Sequence, residues 1–271
     1  MINTFKHLCQ ELNFSEEELQ FILANLGKYY YRAESTKTKY GGPQEDNNGV
    51  KKIRILYPST GRLKEVQAKI HTNILSRLPI PDYAFGSMKG KNNISNAKQH
   101  LGNKYFFTAD LKSFFPSINN RMVYKAFIAY RFSPDVASLL TRLTTYKGAL
   151  PQGTPTSPLL SNLVFVPTGN KILELLKPYN ITFTTFLDDF AFSSRSNFKH
   201  LTPKILKTIQ HDNFWLSHKK IFYKTKSPEV TGITIEGNKL LPHSKILEKQ
   251  QKTNNWHLNQ YVYQIRLNSN R

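Results

Sequence analysis

The stretch Ile181-Thr-Phe-Thr-Thr-Phe-Leu-Asp-Asp-Phe-Ala-Phe-Ser-Ser194 places two adjacent carboxylates between two apolar runs. Both runs are rich in Phe and Thr, which favours β-strands, so we predict a hairpin with Asp188 and Asp189 at its tip. Like charges side by side in apolar surroundings are costly unless a cation neutralises them. Taken alone, the pair is also compatible with a solvated turn.

A third carboxylate, Asp110, ends a short aromatic and apolar run that begins at Tyr105 and that we predict to be a buried strand. Two-metal phosphoryl transfer needs carboxylates that hold two Mg²⁺ ions about 3.5–4 Å apart, where one activates a 3′-hydroxyl and the other stabilises the leaving pyrophosphate. Mg²⁺ prefers a few carboxylates plus substrate phosphates. The presence of Asp110 at the end of one strand, together with Asp188 and Asp189 between two others, therefore favours two-metal phosphoryl transfer over a solvated turn.

The composition points to a polyanionic partner. There are 38 Lys and Arg against 18 Asp and Glu, which gives a net charge of +20 and attracts nucleic acid first and an anionic membrane surface second. The single cysteine, Cys9, excludes an internal disulfide and a thiolate metal cluster. Residues 1–14 lack the apolar core of a signal peptide, and no run approaches the roughly 18 apolar residues of a membrane span. We expect a cytoplasmic protein with no membrane partner.

Helix and strand patterns surround these acids. The predicted helices cover about 16–28, 62–78, 121–131, 157 onward and 202–212, and the predicted strands cover about 51–57, 105–109, 181–186, 190–194 and 230–235. Residues 36–49 are polar and without periodicity, which predicts a loop. Pro167 and Gly169 are predicted to kink or break the helix that begins at Ser157. The basic tail from Ser244 is predicted to be partly helical.

Three segments in order resemble the motifs of reverse transcriptases. Phe107-Thr-Ala-Asp-Leu-Lys-Ser-Phe-Phe-Pro-Ser-Ile118 resembles the first catalytic motif of that family. Leu150-Pro-Gln-Gly-Thr-Pro-Thr-Ser-Pro-Leu-Leu-Ser-Asn162 is similar to its Leu-Pro-Gln-Gly…Ser-Pro segment, and Phe186-Leu-Asp-Asp189 resembles its aromatic-x-Asp-Asp box. The resemblance spans about residues 54–242. The box opens with Phe where Tyr is usual, which removes only a phenolic hydroxyl.

The resemblance implies an α+β chain with the right-hand polymerase fold of fingers, palm and a small thumb, and with an antiparallel palm sheet. We expect an N-terminal region and fingers in residues 1–104. The palm is expected in residues 105–240 with a fingers insertion at about 121–160, and a small or truncated thumb in residues 241–271. The same resemblance implies an RNA-directed DNA polymerase that uses two Mg²⁺ ions and deoxynucleoside triphosphates.

Individual roles are implied by position within these motifs. Asp110, Asp188 and Asp189 would be catalytic and would hold the metal ions together with the main-chain carbonyl of Leu111. Phe115 matches the steric gate that excludes a ribose 2′-hydroxyl, although a place in the core beside its neighbour is the alternative. The predicted nucleotide-binding residues are Arg54 (or alternatively Lys52), Phe115, Gln152, Gly153 and Lys220 (or alternatively Lys219).

Two short strings narrow the resemblance to retron-type reverse transcriptases. Asn96-Ala-Lys-Gln-His100 resembles the Asn-Ala-x-x-His signature of retron enzymes, and Val230-Thr231-Gly232 resembles their Val-Thr-Gly signature. Taken alone, Asn96 is also compatible with a helix cap, His100 with an ordinary core histidine and Gly232 with a turn glycine. Beside the three longer motifs, they predict RNA binding by Asn96, His100, Val230, Thr231 and Gly232.

The retron resemblance implies a dedicated structured noncoding RNA as template and primer, priming from an internal RNA 2′-hydroxyl, and single-stranded DNA joined to RNA (msDNA) as product. It further implies a role in anti-phage defence with a separate effector protein. The basic and aromatic region 219–271 is expected to recognise a stem-loop of that RNA. The alternatives are a group II intron-like, diversity-generating or abortive-infection reverse transcriptase, and a non-catalytic RNA-binding module with a decayed polymerase fold.

Overall fold

The computed structural model describes residues 2–253 and 255–269. Met1, Asn254, Asn270 and Arg271, three of which fall in the predicted thumb, lie outside the described residues. The helices are α1 (Phe5–Leu12), α2 (Glu16–Ala24), α3 (Gly61–Lys69), α4 (Asn93–Lys98), α5 (Phe114–Ser117), α6 (Asn120–Ala129), α7 (Pro134–Thr144), α8 (Ser157–Leu176), α9 (Thr202–His211), α10 (Ser244–Lys252) and α11 (Trp256–Ser269). In the described part of the chain, no helix is both long and apolar enough to cross a bilayer.

The strands are short, and most of them pair with antiparallel neighbours. They are β1 (Ala33–Thr36), β2 (Thr38–Lys39), β3 (Gly42–Pro43), β4 (Ile53–Leu56), β5 (Tyr105–Asp110), β6 (Thr182–Phe186), β7 (Asp189–Ser194), β8 (Phe222–Lys224), β9 (Glu229–Val230), β10 (Ile233–Glu236) and β11 (Lys239–Pro242). The mixture of helix and strand agrees with the predicted α+β class.

Internal contacts divide the chain into two compact units. The first consists of the described residues up to Thr36 together with Ile53–Pro81 and Ser113–Pro167, and the second consists of Lys37–Lys52, Asp82–Lys112 and the described residues from Thr168 onward. Both units are discontinuous in sequence. The predicted division into fingers, palm and thumb stays a prediction.

Helix α2 of the first unit begins at a capping box. The Ser15 hydroxyl accepts a hydrogen bond from the Glu18 amide, and the Glu18 carboxylate accepts one from the Ser15 amide, each at 3.1 Å. The helix ends at Ala24 and a 3₁₀ turn follows, which makes it shorter than predicted. The predicted helix over 62–78 is present as α3 followed by a π-turn over Ile70–Ile74 and a 3₁₀ turn over Leu75–Arg77.

A four-stranded antiparallel sheet with the order β6-β7-β5-β8 forms the centre of the second unit. Its register pairs β5 with β7 from Tyr105 opposite Ser194 to Asp110 opposite Asp189. Buried phenylalanines on both strands pack this pairing in the core. Because β5 ends where β7 begins, the acids that the sequence places at the ends of two apolar runs arrive at one edge of the sheet.

Residues 36–49 are not the loop that the sequence predicts. They contain the hairpin β2–β3, whose two turn residues, Tyr40 and Gly41, have φ values of 53° and 74°. Positive φ at both central residues is the geometry that joins two short antiparallel strands with a two-residue turn. Strands of two residues are too short to show the alternating pattern on which the prediction depended.

Of the predicted kink or break near Pro167, the break is wrong, since α8 runs unbroken from Ser157 to Leu176 through that proline, and the kink stays a prediction. Buried apolar residues along the helix, such as Leu163 and Ile172, offset the hydrogen bond that a proline removes. Gly169 serves a different purpose. An added Cβ there would lie 2.0 Å from the hydroxyl of Tyr83, so glycine leaves room for that side chain rather than ending the helix.

Candidate active site

The three predicted catalytic aspartates lie together in the second unit. Asp110 is 6% exposed and is the register partner of Asp189, with which its carboxyl group is hydrogen bonded. The amide of Leu111 donates to the main-chain oxygen of Asp188 at 2.9 Å. The end of β5 and the tip of the β6–β7 hairpin therefore hold all three acids through main-chain contacts.

This arrangement concentrates negative charge. Desolvation by the surrounding protein, repulsion from Asp188 and the hydrogen bond with Asp110 together raise the pKa of Asp189 to about 8. Lys220 partly neutralises this charge, since its Nζ donates a hydrogen bond to Asp110 Oδ2 at 2.7 Å. Desolvation opposes the charged form of Lys220, but the hydrogen bond and the attraction of the carboxylates still raise its pKa. Of the two lysines that the sequence left open, Lys220 is the one that contacts the acids.

The acids are chemically suited to a hard divalent cation. Within residues 2–253 and 255–269, no three His, Cys, Asp or Glu side chains are arranged as a ready metal site. The oxygen donors of the three aspartates and of the Leu111 carbonyl are nevertheless those that Mg²⁺ prefers. The ammonium group of Lys220, paired with Asp110, shows that this carboxylate binds a positive charge.

Main-chain bonds attach the segment that carries Lys220 to the end of β5. The amide of Ser217 donates to the Asp110 carbonyl at 2.8 Å, and the amide of Lys112 donates to the Trp215 carbonyl at 2.7 Å. A 3₁₀ turn over His218–Lys220 follows at once and brings the lysine side chain back to Asp110. Main-chain bonds of this kind fix a side chain's approach more firmly than contacts between long side chains do.

Gly86 supports the hairpin tip, and no motif in the sequence pointed to it. The amide of Phe85 donates to the Thr185 carbonyl at 2.8 Å, which places the glycine beside the turn that carries Asp188. An ideal Cβ on Gly86 would lie 2.6 Å from the Leu187 amide nitrogen and 2.9 Å from the Phe186 carbonyl carbon. Only a residue without a side chain fits there, and the sole signal in the sequence is a glycine outside any periodic segment.

Four further residues predicted to bind nucleotide belong to the first unit: Arg54, Phe115, Gln152 and Gly153. Phe114 is buried and Phe115 is half-buried, with ring centroids 5.7 Å apart, so Phe115 keeps part of its ring exposed. The Gln152 carbonyl accepts from the Tyr57 amide at 2.9 Å. Gly153 has a φ of 98°, which a residue with a side chain rarely adopts, and Arg54 is exposed on β4.

The two short signatures contact one another in the second unit. Thr231 and Gly232, with φ values of 47° and 83°, are the central residues of the hairpin β9–β10. Asn96 Nδ2 donates to Thr231 Oγ1 at 3.4 Å, and Asn93 Nδ2 donates to the Thr231 carbonyl at 3.2 Å and to the Tyr261 hydroxyl at 2.6 Å. Helix α4 thus holds the Val-Thr-Gly turn in its strained conformation and joins it to α11.

Three of the five residues predicted to bind RNA are buried. Asn96 and Val230 are each 1% exposed, and His100 has no exposed surface. The ring nitrogens of His100 lie 2.7 Å from Ser193 Oγ and 2.8 Å from Thr184 Oγ1, which ties α4 to β6 and β7. We therefore propose direct contact with RNA only for Thr231 and Gly232, which are half-buried. For the other three we propose a supporting role.

His100 should make the fold sensitive to acid. Burial lowers its pKa to about 3, so the folded state holds a neutral ring while the unfolded chain titrates near 6.5. The contribution of the neutral ring is complete above pH 6.5 and is lost as the pH falls from there toward 3, by up to about 1.4 kcal/mol per pH unit. We expect His100→Gln to flatten this part of the curve of unfolding free energy against pH. An unchanged slope, measured by denaturant unfolding at several pH values, would contradict the assignment.

Residues 19–235 match the family described as reverse transcriptase (RNA-dependent DNA polymerase). The chain belongs to this family. The predicted RNA-directed DNA polymerase is thereby confirmed at the level of the family, and the matched residues include the three aspartates described above.

Several curated relatives are retron reverse transcriptases, which confirms the retron-type resemblance. The retron Ec86 reverse transcriptase of Escherichia coli is 26% identical over 244 residues, or 89% of this chain and 73% of the relative. The retron Se72 reverse transcriptase of Salmonella heidelberg (strain 579083-10) is 34% identical over 53% of this chain and 38% of the relative. The retron Mx65 reverse transcriptase of Myxococcus xanthus is 27% identical over 68% and 48%. The chain thus spans less than half the length of the last two.

Proposed function

We propose that this chain is the RNA-directed DNA polymerase of a retron and copies a structured noncoding RNA into single-stranded DNA. The observation that carries the proposal is the pairing of Asp110 with Asp189 at adjoining strand ends, beside Asp188, in a chain of this family. In this proposal the β6-β7-β5-β8 sheet is the palm of a right-hand fold, with fingers before it and a small thumb after it. Cytoplasmic location and anti-phage defence with a separate effector protein belong to the same proposal.

The proposed mechanism is two-metal nucleotidyl transfer. Asp110, Asp188, Asp189 and the Leu111 carbonyl would hold two Mg²⁺ ions, which when bound supply activation of the primer 3′-hydroxyl and neutralisation of the phosphate charge. Lys220 is protonated beside Asp110, and its ammonium group would shield the departing pyrophosphate or donate a proton to it. The remaining predicted contacts to the incoming deoxynucleotide are those of Arg54, Phe115, Gln152 and Gly153.

The nucleic acid that copurifies with the chain tests the retron part of this proposal. We expect that expression of the gene with its flanking locus, followed by sequencing of bound nucleic acid, yields one RNA joined through an internal 2′-hydroxyl to single-stranded DNA. An intron-like, diversity-generating or abortive-infection enzyme would yield DNA without that branch. Recovery of RNA alone from a catalytically competent preparation would contradict the proposed self-priming.

Phe115 is proposed to select deoxynucleotides. Its partly exposed ring, next to a buried Phe114, is free to fill the space of a ribose 2′-hydroxyl. We expect Phe115→Val to raise incorporation of ribonucleotides relative to deoxyribonucleotides by about tenfold or more, since the smaller side chain no longer excludes the hydroxyl. Single-nucleotide incorporation assays measure this ratio. Unchanged discrimination in a folded variant would place the gate elsewhere.

The C-terminal segment is proposed to distinguish the cognate RNA from others. A net charge of +20 attracts any RNA, so discrimination requires contacts to loops or unstacked bases, commonly through aromatic and basic side chains. Trp256 and Tyr263 on α11 are 65% and 57% exposed, whereas Tyr261 is half-buried and bonded to Asn93. The two exposed rings are therefore the better candidates for contact with RNA bases.

An exchange of segments tests this assignment. Replacing residues 230–271 with the corresponding segment of a distant retron reverse transcriptase is expected to redirect RNA preference at moderate salt. Extension on a generic primed template is expected to stay largely intact, because the aspartates lie outside the exchanged segment. A chimera that keeps the original RNA preference would locate specificity elsewhere, in the fingers or around Asn96 to His100.

A further inference from the structure

A carboxylate in the second unit is surrounded by groups of a kind that bind phosphate. Glu229 Oε2 accepts a hydrogen bond from the Tyr40 hydroxyl at 2.5 Å, and Glu229 Oε1 lies 3.4 Å from Lys39 Nζ. His243 Nε2 lies 3.7 Å from Glu229 Oε2. Because His243 Nδ1 accepts from the Lys245 amide, a neutral ring carries its hydrogen on Nε2, the nitrogen that lies on the side of the carboxylate. Three donors from two separate segments thus face one acid.

The donors come partly from the hairpin β2–β3, which is fastened at its turn. The Tyr40 ring stacks on the His243 ring with centroids 3.8 Å apart, and Lys249 Nζ donates to the Gly41 carbonyl. Tyr40 has a φ of 53°, a conformation that is unfavourable for a residue with a side chain and is kept only where surrounding contacts hold it. Strain of this kind is often found at residues that serve a ligand.

The cluster adjoins the Val-Thr-Gly turn. An added Cβ on Gly232, in that turn, would come within 3.9 Å of the Tyr40 ring. Burial and the contact with Glu229 raise the pKa of the Tyr40 phenol, so the hydroxyl keeps its proton and stays a donor. The donors therefore lie beside the turn proposed to meet RNA.

We infer that Lys39, Tyr40 and His243, with Lys249 beside them, form a binding site for a backbone phosphate of nucleic acid, which Glu229 occupies in the free protein. The inference rests on the proposed function, since it supposes that nucleic acid is the ligand. A carboxylate and a phosphate both accept hydrogen bonds from ammonium, imidazole and phenol donors, and the phosphate carries as much charge or more. Binding of a strand displaces Glu229 from its donors, so the glutamate competes with the ligand.

Removal of the competing charge should strengthen binding. We expect Glu229→Gln to bind a short labelled oligouridylate about tenfold more tightly than the original chain, the worth of one charge-assisted hydrogen bond. The slope of log K against log salt should steepen by about 0.7, as for one added phosphate contact on a single strand. Glu236→Gln is the matched control, because it removes the same charge from an exposed glutamate on β10. Fluorescence anisotropy over a series of salt concentrations measures both quantities.

Further variants separate the inference from other outcomes. Adding His243→Ala and Lys39→Ala to Glu229→Gln should cancel the gain in affinity for the oligouridylate. If Glu229→Gln does not fold, Tyr40→Phe, which removes only one hydroxyl, gives a milder test. Inorganic phosphate and pyrophosphate are added as competitors, and displacement of the oligonucleotide by either at low concentration would assign the site to a free anion instead. Equal binding by the Glu229→Gln and Glu236→Gln variants would overturn the inference. Primer extension is scored separately, so a chain that shows the binding gain but makes no DNA would overturn only the proposed polymerase.

Discussion

Replacing Asp188 and Asp189 together with Asn is expected to abolish Mg²⁺-dependent DNA synthesis while the protein stays folded and binds RNA. Both residues lie at the tip of the β6–β7 hairpin, next to Asp110, where desolvation and repulsion from Asp188 already raise the pKa of Asp189 to about 8. Asn keeps the size of the side chain but removes the charge that a divalent cation requires. Loss of electrostatic stabilisation at such a site should reduce the rate by at least about 10³-fold.

Primer extension on an RNA template with deoxynucleoside triphosphates measures the effect. Asp135→Asn is a control for the loss of an acid elsewhere in the chain, because Asp135 is an exposed acid in the first turn of α7 and its replacement removes one of the two charges that the double variant removes. Circular dichroism and RNA binding establish that the double variant is folded. Near-normal extension by that variant would contradict the two-metal assignment, and absence of extension by the unaltered chain would favour the non-catalytic RNA-binding alternative.

The proximity of the three acids could be predicted from the sequence, because the ends of the apolar runs determine where the acids lie. Apolar runs of strand length stop at Asp110 and restart after Asp189, and antiparallel pairing of such runs brings their ends to one edge. The same logic holds for the capping box at Ser15, where a local pattern specifies a local structure. Predictions from the sequence succeeded where the determining residues were neighbours or followed a clear period.

Predictions that depended on long-range packing were less successful. The hairpin β2–β3 is two residues per strand and is fastened by Glu229 and His243, which are distant in sequence. The proline in α8 reads as a break, but burial of the helix overrides local propensity. Gly86 and Gly169 are explained only by what stands opposite them, and the sequence does not show which chain segment that is.

The retron signatures illustrate a further limit. Asn96 and His100 were predicted to bind RNA, yet their side chains bond to Thr231, Ser193 and Thr184 inside the protein. A short motif that marks a family of RNA-copying enzymes can act by holding a turn in place rather than by touching RNA. In this chain Asn96 supports the half-buried turn Thr231-Gly232, for which contact with RNA stays a prediction.

Substituting Gly86 with Ala is expected to lower the rate of DNA synthesis by about 10²-fold, although the residue has no side chain that could take part in the chemistry. The added Cβ would lie 2.6 Å from the Leu187 amide nitrogen, closer than such atoms approach in proteins, so the hairpin tip must move. Movement of about 1 Å at a site that aligns reacting atoms can cost a factor of that size. Gly86 does not have a positive φ, so alanine introduces the contact without backbone strain. The loss should appear in kcat, with little change in KM for the nucleotide or in RNA affinity.

Two further variants decide whether backbone displacement is the cause. Gly27→Ala is the matched control, because a Cβ there meets nothing within 4 Å, and it should leave synthesis unchanged. Adding Leu187→Ala to Gly86→Ala removes a second close contact, with Leu187 Cγ at 2.7 Å, but leaves the amide nitrogen where it is. We therefore expect no recovery of activity in that double variant. Recovery would mean that the leucine side chain, not the backbone beside Asp188, sets the position of the catalytic acids, and full activity of Gly86→Ala alone would show that the hairpin tip tolerates the shift.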